Sequence, residues 1–244
     1  MKQEKYTDES FPPNEFSLIT DWDEEEDGVP EKARKWNRFT WIRATDIPEL
    51  NDDEGKLAVF SNKIEPNDIK QGDLGDCYFL SALSVLAEKP NRIKKLFVSD
   101  KQNKWGVYGI RICKNGEWKD VVVDDYIPCD RQQVVFSAAN ENELWVILLE
   151  KAWAKLHGSY ERIEAGFAEN VMRDLTGAPT EVIESEEEKL WDSCVKADRE
   201  GYVMAASAGG GASVEALEEL GLIGYHAYGL IGCVEITNRF DEKV

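Results

Sequence analysis

Gln71-Gly72-Asp73-Leu74-Gly75-Asp76-Cys77 runs directly into Tyr78-Phe79-Leu80-Ser81-Ala82-Leu83-Ser84-Val85-Leu86-Ala87, and at this junction the chain changes character. The first half of the stretch is a glycine-rich turn. The second half is apolar on every side, the pattern of a buried helix, and it reads as ending near Lys89-Pro90. Cys77 therefore opens a helix. Free N–H groups and the macrodipole at such a terminus stabilise a thiolate, the nucleophilic form of cysteine. The two glycines let another backbone approach closely. The Gln71 amide, six residues upstream, is placed to donate to a developing oxyanion. The competing reading is an inert buried cysteine, since free cysteine is among the most buried residue types.

A nucleophilic cysteine needs a base, and the chain has 2 histidines. His157 follows a helical segment and precedes Gly158-Ser159, so it reads as a charge at a helix C-terminus. His226, in Gly224-Tyr225-His226-Ala227-Tyr228-Gly229, opens an apolar strand. Its separation from Cys77 falls within the roughly 130–150 residues between nucleophile and base in papain-like proteases. A plain core histidine is the alternative at that position.

Working outward, Trp105–Cys113 and Trp118–Ile127 alternate and are rich in Val, Ile and aromatics, with Asn115-Gly116 between them. This predicts a β-hairpin. Glu143–Leu156 reads as a second helix. Ser213–Leu220 reads as a short helix with Ser213 as N-cap and Gly221 as stop. Tyr202–Ala206 and Ala227–Ile236 read as strands. Trp36, Trp41 and Ile42 read as apolar anchors. Residues 1–30, with Phe11-Pro12-Pro13 and the acidic run Asp23–Asp27, read as an irregular arm that packs only locally. The acidic segment Glu184–Lys189 reads as a boundary. The expected organisation is α+β in two lobes: an arm (1–30), a helical lobe bearing Cys77 (31–185), and the start of a strand-richer lobe bearing His226 (186–244).

Composition limits the function classes. Hydrophobic residues are 42%, charged residues 32%, and 8 Trp argue for a folded, packed chain. A net charge of −19 disfavours nucleic acid and anionic membranes as partners, because both need a basic face. Surplus carboxylates can take hard cations such as Ca²⁺, with a solvated acidic surface as the plainer account. The 5 cysteines are odd in number, widely spaced and without a CxxC pair, which argues against a disulfide framework or structural zinc. The polar start and the lack of a long apolar run fit a cytoplasmic protein.

The segment from Gln71 to Leu83 closely resembles the nucleophile motif of the calpain family. Phe11-Pro12-Pro13, Asp68-Ile69 before Gln71, and Gly116-Glu117-Trp118 with Val121–Pro128 are each similar to calpain segments. So are Leu148–Leu156 with Gly158-Ser159-Tyr160-Glu161, Asp174-Leu175-Thr176-Gly177, and Gly221-Leu222 with His226-Ala227-Tyr228. The resemblance implies a papain-like fold and hydrolysis of peptide bonds in intracellular proteins. Cys77 would be the nucleophile, His226 the base and then acid, and Gln71 with the Cys77 N–H the oxyanion hole. It further implies Ca²⁺, with Asp68 ligating beside an acid ahead of Leu175-Thr176-Gly177. Register with Thr176 puts Asn170 there, next to Glu169, which implies weakened affinity. Asp68 as a cap or loop acid is the alternative. The Asn-Pro-Trp segment that orients the histidine in calpains has no counterpart here, and Asn238 reads as a turn residue. The chain is therefore expected to be a C-terminally incomplete core, poorly active or inactive alone. A catalytically dead interaction module of the same fold is the second hypothesis. A papain-like transglutaminase or deubiquitinase relative is the third, disfavoured by the hairpin and helix motifs.

Overall fold

The structure, a computed structural model, describes residues 4–19, 31–51, 54–61, 63–140, 142–184, 189–208 and 213–236. The acidic run Asp23–Asp27, most of the Glu184–Lys189 boundary and Asn238 lie outside them. In chain order the elements are α1 (Glu15–Leu18), α2 (Glu31–Trp36), β1 (Thr40–Arg43), β2 (Ile69–Lys70), α3 (Cys77–Ala87), α4 (Pro90–Lys94), β3 (Val107–Lys114), β4 (Glu117–Asp124), β5 (Tyr126–Asp130), β6 (Gln133–Val134), β7 (Ala138–Ala139), α5 (Trp145–His157), α6 (Ala168–Thr176), α7 (Leu190–Glu200), β8 (Met204–Ala208), α8 (Val214–Glu219) and β9 (His226–Leu230).

α3 is the buried centre, with Phe79, Ala82, Leu83 and Val85 inaccessible. It packs against α4, α6, β8 and β9. Its apolar faces all find partners, which is why a helix with so little polar surface is stable. α5 is the second buried helix; Trp145 through Ala154 are all buried along it.

The β3–β4 hairpin forms around Asn115 (φ 54°) and Gly116 (φ 80°), the paired positive angles of a tight turn that this dipeptide tolerates. The second strand is shorter than expected. β4 ends at Asp124, and β5 pairs with β1 instead, with Ile42 opposite Ile127 and Arg43 opposite Tyr126. The break comes at two buried carboxylates. Asp124 is claimed by the Lys151 ammonium, and Asp125 by the Arg43 guanidinium. Trp41 and Ile42 are thus strand residues.

The amino-terminal arm does more than pack locally. The Tyr6 N–H donates to Trp105 O at 2.9 Å, and the Asp8 N–H to Asp124 Oδ2 at 2.8 Å. Lys155 Nζ reaches Asp8 Oδ2 at 2.6 Å, and Phe11 is buried against Tyr160. The arm's polar sequence conceals these long-range partners. The expected division into a helical half and a strand-richer half is not what the described residues show. The long hairpin and the β1–β5–β6 sheet lie before residue 185; after it come α7, α8 and the two-stranded β8–β9 ribbon.

Candidate active site

Cys77 begins α3, half-buried and bordering the core. The turn before it is fixed from several sides. The Asp73 N–H donates to Val135 O at 2.8 Å, and the Ala165 N–H to Gly75 O at 2.8 Å. A Cβ at Gly72 would stand 2.1 Å from Phe136 O, so only glycine fits between these backbones. The first N–H groups of an α-helix have no partner within it; in α3 the Phe79 and Leu80 N–H groups turn back to Asp76 O at 2.8 and 3.1 Å. Gln71 sits on the same turn, and its Nε2 donates to Leu74 O at 2.9 Å. That contact uses one amide hydrogen and sets the orientation of the side chain.

His226 is the first residue of β9 and pairs with Ala208 of β8. β9 lies directly on α3. Gly229 makes this possible, since a Cβ there would stand 2.9 Å from Val85 Cγ1 and 3.3 Å from Ser81 O. The fold therefore packs the strand that carries His226 onto the helix that begins at Cys77. Tyr228 braces the histidine, its ring centroid 4.9 Å away and nearly perpendicular, while its hydroxyl accepts the Ile223 N–H at 2.7 Å. Just before the histidine, Tyr225 takes φ 55°, a left-handed conformation unusual for a bulky residue, with its ring exposed.

His157 is placed elsewhere. Its Nδ1 lies 2.8 Å from Trp153 O and its Nε2 3.4 Å from Lys114 Nζ. Burial pushes its pKa down and the Lys114 ammonium pushes it further, against the Trp153 hydrogen bond. His157 closes α5, as expected, with its ring set between Trp153 and Lys114.

Asp68 caps a 3-10 turn over Pro66–Asp68, its Oδ2 accepting the Glu65 N–H at 2.7 Å. Glu169 and Asn170 stand in the first turn of α6. Among the described residues no group of three or more His, Cys, Asp or Glu side chains is arranged to hold a metal ion.

Two acids near Cys77 escaped the sequence reading. Asp76 is the residue before it, and Glu150 lies in the middle of α5; both are buried. Charged residues in apolar surroundings were the available signal. Behind them, Tyr78 accepts the Trp153 Nε1–H at 3.1 Å, and Gly166 lies flat on the Tyr78 ring.

The family model for calpain family cysteine proteases matches residues 6–244. The calpain-type cysteine protease DEK1 of Arabidopsis thaliana is 35% identical across 96% of this chain, and ADL1 of Oryza sativa subsp. japonica 34% across 97%. Human calpain-9 is 35% identical across 70% of the chain. The chain spans 11% of the length of the two plant relatives and 26% of calpain-9. By motif, by the helix that begins at the cysteine and by these matches, the chain belongs to the calpain family of cysteine proteases.

Proposed function

We propose that this chain contributes the Cys77–His226 machinery of a cysteine endopeptidase acting on intracellular proteins. Cys77 attacks the peptide carbonyl as a thiolate. His226 takes the thiol proton and returns it to the leaving amine. The Cys77 N–H and the Gln71 amide receive the oxyanion. Protein substrates, a cytoplasmic setting and a division into two lobes belong to the same reading. The observation that carries it is the seating of β9 on α3, which joins the element of the base to that of the nucleophile.

The test is a thiol-directed epoxide applied to the full-length gene product. The adduct is expected on Cys77, and Cys77→Ser abolishes casein hydrolysis while leaving the melting temperature unchanged. An adduct on Cys113, Cys129, Cys194 or Cys233 refutes the assignment. Folded, unlabelled and inactive protein supports the interaction-module alternative. Calcium control enters this proposal through the family alone. Asp68, with Glu169 and Asn170, is the proposed first-lobe set, and with its acid engaged in a cap it is expected to bind weakly.

A further inference from the structure

The Asp76 carboxyl sits in a place where a lone anion is not tolerated. The residue is fully buried, and no hydrogen-bond donor among the described residues reaches Oδ1 or Oδ2. The polar side chain it meets is another carboxyl, Glu150, brought in by α5. Glu150 is itself buried and takes the Ser137 N–H on both oxygens, at 3.1 and 3.3 Å. Two carboxylates can only accept hydrogen bonds. Their contact becomes a bond when one of them carries a proton.

We propose that Asp76 is a positioning residue that works as half of a proton-sharing acid pair with Glu150, anchoring the turn that delivers Cys77 to α5 without placing an anion at Asp76. The pair bridges the segment before the nucleophile and the middle of the other buried helix. Its hydrogen bond fixes the start of α3, where the Asp76 carbonyl already accepts the N–H groups of Phe79 and Leu80 at 2.8 and 3.1 Å. The protonated form also spares the Cys77 thiolate a repelling neighbour. Burial raises the pKa of Asp76 well above the usual carboxylate range, and the Glu150 charge raises it further. Burial likewise lifts Glu150 to about 7, against the hydrogen bonds from Asp76 and Ser137. The other titratable groups facing the pair are the Cys77 thiol and the Tyr78 and Tyr160 phenols; none brings a positive charge.

This inference deepens the proposed function and rests on it for the role of Cys77. The test uses the full chain. Infrared spectra at neutral pH are expected to show a protonated carboxyl band that Asp76→Asn removes. The wild-type melting temperature should fall as pH rises through the range where the pair gives up its proton. Asp76→Asn, which can donate but cannot ionise, should flatten that slope. Cys77 alkylation by iodoacetamide at neutral pH should change by less than about twofold in Asp76→Asn, because a neutral group replaces a neutral group. Were Asp76 an anion, its removal would speed alkylation about tenfold through a lowered thiol pKa. That acceleration, or the absence of the carboxyl band from the wild type, overturns the proposal. If Asp76→Asn does not fold, Glu150→Gln, which removes the partner carboxyl, should shift the band and flatten the slope. The band and the slope are independent of whether Cys77 is the nucleophile. Their presence with an epoxide adduct elsewhere refutes the catalytic reading alone.

Discussion

Gly229→Ala tests the seating of β9, which carries the proposed base His226, on α3, which begins at the proposed nucleophile Cys77. The added Cβ would stand 2.9 Å from Val85 Cγ1 and 3.3 Å from Ser81 O. Ordinary contact begins at 3.4 Å, so β9 must lift by about 0.5 Å if the helix holds. The helix does hold: Val85 is inaccessible, and its β-branched side chain has one strongly favoured rotamer in a helix. The backbone oxygen of Ser81 cannot swing aside as a side chain would. Overpacking of this kind costs about 1–3 kcal/mol. Three residues upstream the same strand carries His226, and a misplacement of about 1 Å at reacting groups can cost about 10²-fold in rate. A shift of half that size is expected to lower kcat/KM about tenfold, with a lowered melting temperature and with Cys77 still labelled by the epoxide. Unchanged turnover with lowered stability would show that β9 position does not set the histidine. Unchanged stability would show that β9 does not seat on α3 as described.

Leu148→Ala removes a buried side chain of α5 and should cost about 2–5 kcal/mol by cavity formation, read as denaturant midpoint; an unchanged midpoint with lost activity contradicts a packing role. Lys151→Met leaves Asp124 buried without its ammonium partner and should cost about 3–5 kcal/mol, whereas Lys151→Met combined with Asp124→Leu should recover part of that loss. Calcium titration of residues 1–244 by calorimetry is expected to show weak binding at most and no stimulated proteolysis, since a ligand shifts an equilibrium only by its differential affinity; casein hydrolysis that calcium stimulates and Cys77→Ser removes would refute this.

Much of the scaffold was legible because local chemistry agreed with tertiary context. α3 is apolar on every side and is buried on every side. Asn115-Gly116 takes both positive angles its hairpin requires, and Ser213 caps α8 through Ala216 N at 3.2 Å. What failed was long-range. Nothing local in Tyr126–Asp130 reveals that it leaves β4 to pair with β1, because the decision is taken by Arg43 and Lys151 reaching Asp125 and Asp124. α7 was missed although Leu190, Trp191, Cys194 and Val195 recur at helical spacing, and none of its side chains is buried. Cys77, Gln71 and His226 were singled out by motif and spacing, and the structure puts Cys77 at the start of α3 and His226 at the start of β9. Asp76 was visible but mute, since its meaning depends on Glu150 of α5 arriving beside it.

That dependence exposes a rule in how the two buried helices meet. α5 carries an acid and a base in succession, Glu150 and Lys151, and buries both. Their side chains leave the helix about 100° apart, so each must be compensated on its own side. Lys151 faces the hairpin end, where Asp124 Oδ1 and the Tyr126 carbonyl, at 2.6 Å, take its hydrogens. Glu150 faces the turn before Cys77, where the described residues supply an N–H from Ser137 and the carboxyl of Asp76. A buried ion pair on one side and a carboxyl pair on the other leave unequal needs: the first is complete as built, the second only once a proton is added. Burial lowers the Lys151 pKa against the pull of Asp124, so the hairpin side is not expected to lose stability as pH rises. The nucleophile side is expected to lose it. Its folded-state pKa values lie above the unfolded ones, so its stabilisation is full below pH 3.8, the lower of the two unfolded values, and is lost as pH rises through about 7 and beyond. A hydrogen-exchange profile should then show α3 and the Gln71–Cys77 turn opening more readily at alkaline pH than the β3–β4 hairpin, after correction for intrinsic exchange. Uniform loss of protection across both would place the titration elsewhere.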